Sequence, residues 1–369
     1  MNLRPPARCL RPRLHRRPRQ RARLATLATL AAIAVALATA ASPADAQRHT
    51  KRAQAPRAAA LAAGYSTRDE VMTFVAEMVD RHGFVESELL GVFAQARRSD
   101  EAVRLISPAP PGFKRSWQAY RARFLDGLRI REGLRFWREH ETWLELAATR
   151  FGVPPEIVVA IIGVETLYGR ITGEFRVLDV LTTLAFDYPQ RGHYFRDELE
   201  QYLLYSREAG LDVFSVRGSF AGAIGLPQFM PRSIRRFAVD LDGDGAVDLQ
   251  ANPADAIGSV ASFLAEHGWR PGEPVRFEML FDSEGRLAPL IEAGIRPKFT
   301  IGELADYGVS SAEPVALEMP LALIDLPNGD KPASYYLGAQ NFFTITRYNR
   351  SSFYAMAVYE LARALAERR

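Results

Sequence analysis

Glu165 stands in the run Val158-Val159-Ala160-Ile161-Ile162-Gly163-Val164-Glu165-Thr166-Leu167-Tyr168-Gly169, which is apolar on nearly every face of a helix. No basic residue lies one turn to either side, where positions 161, 162, 168 and 169 are Ile, Ile, Tyr and Gly. Burial without a cationic partner disfavours a carboxylate, so the pKa rises and a proton stays available near neutral pH, as a general acid requires. The plainer alternative is a helix-end glutamate that faces solvent or pairs with a distant arginine.

Two further segments carry chemistry. Ser219-Phe220-Ala221-Gly222-Ala223-Ile224-Gly225-Leu226-Pro227-Gln228-Phe229-Met230-Pro231 combines small residues, which let a backbone approach a ligand closely, with the polar Ser219 and Gln228 and the apolar Phe229-Met230. As a bare pattern it also reads as a tight turn leading into a helix. Asp240-Leu241-Asp242-Gly243-Asp244-Gly245-Ala246-Val247-Asp248 places carboxylates at loop positions one, three, five and nine, glycine at six, and the Ala246 carbonyl at seven. Such clustered carboxylates repel unless a hard cation neutralises them, and the pattern predicts a Ca²⁺ loop, with a solvated Asp/Gly turn as the alternative. It departs from the common pattern at position twelve, where Ala251 replaces glutamate.

These segments need helices to hold them. Ser66 reads as a cap ahead of Val71, Phe74, Val75 and Met78 at helical spacing. Trp117, Tyr120, Phe124, Leu128, Leu134, Trp137, Trp143 and Leu146 recur every three or four residues through 116–151, after a loop marked by Pro108, Pro110, Pro111 and Gly112. Pro154-Pro155 starts the Glu165 helix and Gly169 ends it. Further helices are expected at 195–209, 253–267 and 351–367. The stretch 272–346 differs, with Val275–Leu280 and Ala316–Leu326 alternating or apolar and Asn328-Gly329 as a turn. The fold class expected is mainly α (α+β): a flexible tether at 47–64, an α domain at 65–150, a core with the metal loop at 151–271, a small β-rich insert at 272–346 and a helix at 347–369 returning to the core.

Composition narrows the function. The chain has 369 residues, 47 Lys+Arg against 43 Asp+Glu, and 48% apolar residues, enough for a large core. Residues 1–46 hold nine arginines and one acid, Asp45, leaving 38 basic and 42 acidic residues beyond them, so a nucleic-acid partner loses its support. That leader has an Arg-rich start, the apolar run Leu24–Ala41 and Ala44-Asp45-Ala46 before Gln47, the pattern of a cleaved export signal in residues 1–46. An uncleaved anchor is the alternative, since the run approaches the ~20 residues that span a bilayer. The pair Arg16-Arg17 leaves Sec and twin-arginine export both open. The only cysteine, Cys9, precedes the apolar run, so the mature chain has no lipid-bearing cysteine, disulfide or thiolate site. His49, His82, His140, His193 and His267 show no zinc-type pairing.

The chain resembles the membrane-bound lytic transglycosylase B family of glycoside hydrolases over roughly residues 66–367. The matching segments are Val164-Glu165-Thr166-Leu167-Tyr168-Gly169, Phe186-Asp187-Tyr188-Pro189, Gly218–Gly225, Gln228-Phe229-Met230-Pro231, Asp255–Val260 and Arg347-Tyr348-Asn349. The resemblance implies a lysozyme-like helical core with an added α domain and a small β domain. It implies cleavage of the β-1,4 bond between N-acetylmuramic acid and N-acetylglucosamine, leaving a 1,6-anhydromuramoyl end, with Glu165 as the catalytic acid. It further implies sugar contacts from Ser219, Gln228, Phe229, Met230, Tyr348 and Asn349, and cleft positions for Tyr354 and Tyr120. Arg191 matches a basic position suited to peptide stems, although Gln190 stands where a second arginine is expected. Asp255 is offered as the closing ligand of the Ca²⁺ loop formed by Asp240, Asp242, Asp244, Ala246 and Asp248. The implied partners are peptidoglycan glycan strands and cell-wall synthesis or division proteins, and the implied setting is a periplasmic monomer. An ordinary glycosidase needs two carboxylates, and the family pattern supplies one, so the sugar's own C6 hydroxyl is the expected nucleophile.

A non-catalytic, calcium-stabilised glycan-binding or scaffolding protein is the competing reading. A serine hydrolase is a weaker one, because Gly218-Ser219-Phe220-Ala221-Gly222 is not G-x-S-x-G.

Overall fold

The computed structural model describes residues 64–110 and 112–369. The expected leader, its cleavage site and all but the last residue of the tether lie outside the described residues.

Helix α1 (Asp69–His82) buries Val71, Phe74, Val75 and Met78 along one stripe, as their spacing predicts. Its start differs from the expectation: Arg68, not Ser66, occupies the N-cap, without a side-chain cap. The chain is anchored there instead by Tyr65, whose hydroxyl donates to Asp187 Oδ2 at 2.7 Å, and by Arg68, 3.0 Å from Asp187 Oδ1. Next come α2 (Glu86–Gln95), α3 (Asp100–Ile106), α4 (Trp117–Arg121), α5 (Gly127–Glu139) and α6 (Glu141–Phe151). Ser99, Ser116 and Asp126 cap α3, α4 and α5 by accepting a backbone N–H. The breaks between α4, α5 and α6 reset the helical phase, so Trp117, Phe124 and Trp137 are buried while Leu128 and Leu146 are exposed.

Helix α7 (Pro155–Thr166) buries every residue from Ile157 to Val164, which explains its lack of a polar face. The chain continues through β1 (Phe175–Arg176), α8 (Val177–Asp187), α9 (Gly192–Glu208), β2 (Arg217–Gly218), α10 (Pro231–Phe237) and α11 (Pro253–Glu266). Helices α8 and α10 were not evident from periodicity. The first is too uniformly apolar to show a phase, and the second is only two turns long.

The β-rich part contains β3 (Arg276–Phe281), a 3₁₀ turn (Glu284–Arg286), α12 (Ala288–Glu292), α13 (Ile301–Ala305), β4 (Val309–Ser311), β5 (Ala322–Asn328) and β6 (Lys331–Gly338). The strands form an antiparallel sheet in the order β4-β3-β6-β5, and Gly329-Asp330 turn the β5–β6 hairpin. The apolar stretch expected as strand from Ala316 enters the sheet only at Ala322. Helices α14 (Gln340–Tyr348) and α15 (Ser352–Ala366) complete the chain, and α15 packs on α7.

One core runs continuously from Tyr65 to Leu365, and a second, smaller one lies within the β-rich part. Strand β5 joins them because successive side chains point to opposite faces: Ala322, Ile324 and Leu326 enter the main core, and Leu323 enters the small one.

At the crossing of α5 and α7 the Tyr168 ring enters a notch made by Gly133 and Gly163. A Cβ at Gly163 would stand 2.4 Å from the Tyr168 hydroxyl and 2.6 Å from Cζ. Gly163→Ala would gain up to ~1 kcal/mol of helix propensity, but overpacking a locked ring costs about 1–3 kcal/mol. The variant is expected to melt below the parent, and a Tm equal to or above it would show the notch to be slack.

Candidate active site

Glu165 lies in the last turn of α7. The helix ends at Thr166, and the next two residues turn sharply: Leu167 (φ 51°) and Tyr168 (φ 60°) are both left-handed although neither is glycine. The expected stop at Gly169 is therefore completed by two strained residues before it, a conformation that persists only where the surroundings enforce it. The Leu167 N–H donates to Gly163 O at 3.2 Å and the Tyr168 N–H to Ile162 O at 3.4 Å, closing the helix end.

Part of the Glu165 residue stays open to solvent, yet protein surrounds its carboxyl closely enough that burial raises its pKa to about 7. Among the described residues no basic group and no second carboxylate perturbs it, and the one opposing influence is the Tyr354 hydroxyl. That hydroxyl interacts with the Glu165 carboxyl but forms no hydrogen bond with it, nor with any other group among the described residues. Tyr348 stacks on Tyr354 with ring centres 6.2 Å apart and donates its hydroxyl to Pro227 O at 2.6 Å. Tyr120 is held by Phe124 and Phe353, with ring centres at 5.0 and 5.5 Å. Burial, and next the nearby Glu165 charge, raise the pKa of all three phenols above its usual value. Three tyrosines from α4, α14 and α15 thus enclose an acid from α7.

The loop after β2 lies against this cluster through Pro227. Ser219 Oγ accepts the N–H of Ala221 and Ala223, so it shapes the loop and keeps its own proton to donate. Gln228 is left-handed (φ 51°), and its Nε2 donates to Thr172 O and Gly225 O. Met230 is half-buried. Phe229 differs from the expected sugar-facing surface: the residue is only 2% exposed, and its ring packs on Phe263 and Tyr348. It supports the site from behind. Asn349 follows Tyr348 at the end of α14 and has a buried Oδ1 without a partner. Arg191 is not brought into the Glu165 cluster; it forms the N-cap of α9, with its guanidinium 4.6 Å over the Tyr194 ring.

Thr166, Leu226 and Tyr168 were not singled out from sequence. Thr166 Oγ1 donates to Leu226 O at 3.0 Å and accepts the Gly169 N–H at 3.0 Å, tying the acid's helix to the loop. The positions are visible in the motif, but partners 60 residues apart leave no local signal.

In the acidic loop, carboxylate oxygens of Asp240, Asp242 and Asp244 lie within 4.8 Å of one another, and no ion pair with these carboxylates occurs among the described residues. Backbone N–H groups, Gly245 foremost, hold Asp240 below the usual carboxylate range. Ala246 directs its N–H to Asp244 Oδ1. Asp248 and Asp255 lie outside the triad. Asp248 accepts the N–H of Gln250 and Ala251, and fully buried Asp255 accepts those of Leu241 and Asp248. The residue expected to close the metal shell therefore holds the two ends of the loop together.

Residues 66–363 match the family described as the transglycosylase SLT domain. Membrane-bound lytic murein transglycosylase B of Escherichia coli (strain K12) is 41% identical over 310 residues, covering 82% of this chain and 84% of that protein. Soluble lytic transglycosylase SltB1 from Pseudomonas aeruginosa superposes with a TM-score of 0.75 at 43% identity, over 81% of this chain and 99% of that one. The Escherichia coli lytic transglycosylase Slt35 in complex with calcium gives 0.74 at 40% identity, over 82% and 94%. Agreement in sequence and in fold over four-fifths of its length makes this chain a member of the lytic murein transglycosylase B and Slt35 family, enzymes that cleave peptidoglycan.

Proposed function

We propose that Glu165 alone performs the acid and base steps of cleaving the β-1,4 bond between N-acetylmuramic acid and N-acetylglucosamine, leaving a 1,6-anhydromuramoyl end. The observation that carries this reading is a carboxyl raised to about 7 by burial with no second carboxylate among the described residues acting on it. Glu165 gives its proton to the glycosidic oxygen as the C1–O bond breaks, assisted by the substrate's N-acetyl group. The carboxylate then accepts the proton of the C6 hydroxyl as O6 bonds to C1, which restores the acid and consumes no water. An internal nucleophile has a large effective concentration over a captured one. Tyr354 is placed to support the carboxylate stage: its hydroxyl forms no bond to Glu165 in the resting arrangement, and it favours the charged form once it turns to donate to it.

The sugar contacts follow from unused capacity: the Ser219 proton, the Gln228 carbonyl and the buried Asn349 Oδ1, with Met230, Tyr120 and Tyr348 lining the cleft. Arg191 on Tyr194 serves peptide stems. The Asp240, Asp242 and Asp244 carboxylates fit a hard divalent cation, and we assign Ca²⁺ to them, with the Ala246 carbonyl and Asp248 as further ligands and Asp255 bracing the loop. The ion neutralises the loop and has no part in the reaction. Residues 65–150, 151–271 and 347–369 act as one helical body carrying the β-rich insert 272–346, in keeping with the two cores. With Cys9 ahead of the apolar run, export to the periplasm through a cleaved signal fits the sequence better than a lipid anchor.

Mass spectrometry of products from the mature protein and peptidoglycan tests the reading: 1,6-anhydromuramic ends are expected, and reducing muramoyl ends would mean hydrolysis instead. Glu165→Gln keeps the shape without the proton and is expected to lower activity at least about a thousandfold; a folded, active variant would defeat the assignment. In the parent, activity is expected to fall as pH rises through about 7, where Glu165 loses its proton. A pH–rate profile flat to pH 9 would contradict this.

The same shift affects stability. Because the folded state holds this proton more tightly than the unfolded chain, whose value is 4.5, the parent loses stability between pH 4.5 and 7. The loss is on the order of 3 kcal/mol at most. Glu165→Gln should therefore melt above the parent at pH 8, with the gap closing at pH 4; an identical difference at both would refute it. Chelation is expected to lower the Tm of the parent, because an ion bound only to the folded state stabilises it. Asp240→Asn combined with Asp242→Asn should abolish that response, and a parent Tm insensitive to confirmed metal removal would exclude the site.

A further inference from the structure

We propose that Thr166 is a positioning residue, its hydroxyl setting the distance between the general acid and the glycan-binding loop. A helical threonine commonly bonds back to the carbonyl four residues earlier, and Ile162 O is indeed 3.2 Å from Thr166 Oγ1. A hydroxyl has one proton, and here two carbonyls compete for it. Ile162 O already receives the Tyr168 N–H. Leu226 O has no other donor among the described hydrogen bonds and lies closer, at 3.0 Å. A buried carbonyl left unpaired is costly, so the proton belongs to Leu226 O, while the oxygen accepts the Gly169 N–H.

The consequence reaches both sides of the site. Leu226 is fixed at its carbonyl by Thr166 and at its N–H by Leu249 O, at 2.8 Å, and the next carbonyl, Pro227 O, receives Tyr348. Among the described residues, three non-glycines have positive φ: Leu167, Tyr168 and Gln228. Two directly follow Thr166 and the third lies two residues beyond Leu226, so all the non-glycine left-handed residues flank this one tie. Thr166 itself is 1% exposed, too little for a sugar to touch it. Its effect must pass through Glu165, Leu226 and Gln228.

The proposal rests on Glu165 as the acid. The test measures kcat, KM and the pH–rate profile on soluble glycan fragments for Thr166→Val, which keeps the shape and removes the hydroxyl, and for Thr166→Ser, which keeps the hydroxyl. Misplacing a catalytic group by a fraction of its reach costs rate more than binding. Thr166→Val is expected to lower kcat about tenfold or more with KM within about threefold. Its alkaline limb should move to lower pH as the loosened turn admits water to the Glu165 carboxyl. Thr166→Ser should keep kcat within about threefold of the parent. A Val variant with parental kcat and alkaline limb, or a Ser variant that falls as far as Val, would overturn the proposal. If Thr166→Val does not fold, Thr166→Ser decides: parental rate and pH profile support the hydroxyl's role, and a lost rate removes it. Glu165→Gln, run alongside, separates the two ideas, since activity surviving there would sink the acid assignment itself.

Discussion

A carboxyl that must carry a proton at neutral pH has to be withdrawn from water and kept away from positive charge. Almost everything around Glu165 follows from that constraint. Helix α7 is buried along its length, so the acid emerges from a low-dielectric body, and among the described residues the groups that feel its charge are phenols whose own ionisation is suppressed by the same burial. An arginine in that position would pull the proton off; a second carboxylate would share it. The arrangement costs stability above the acid's unfolded pKa, and the large continuous core of the helical body offsets the cost.

Holding the acid in place is a separate problem, because a helix end frays unless its carbonyls and following turn are satisfied. The protein uses three ties. Tyr168 wedges into the Gly133–Gly163 notch, Thr166 bonds Leu226, and Tyr348 bonds Pro227. Leu226 continues to Leu249 at the far end of the acidic loop, which Asp255 closes from within the core. Glu165, the Ser219–Pro231 loop and the acidic loop therefore share one hydrogen-bonded frame. The β-rich part is joined through β5, whose alternate residues serve two cores, so it cannot shift without disturbing the helices.

The helices with one apolar stripe were legible from periodicity, as α1 shows with Val71, Phe74, Val75 and Met78. Where a segment is apolar on all sides, as in α8, or very short, as in α10, periodicity has nothing to report. Ser66 looked like a cap on local grounds, but a contact between Tyr65 and Asp187, far apart in the chain, decided where the chain was anchored. Phe229 was read as a sugar surface from its motif, and only the packing of Phe263 and Tyr348 around it shows it to be core.

By itself, the sequence determined that an acid with no basic residue one turn away lies in an apolar helix, that a small-residue loop and a carboxylate loop follow it, and that the body is mainly helical. These are properties of residue type and spacing, which act locally. Tertiary structure alone decided that Tyr120, Tyr348 and Tyr354 enclose Glu165, that Asp255 holds the loop ends together outside the triad, and that Thr166 reaches Leu226. Each of these depends on groups brought together from distant parts of the chain. Burial, hydrogen-bond competition and pKa are set by those neighbours in space, and spacing along the chain does not encode them.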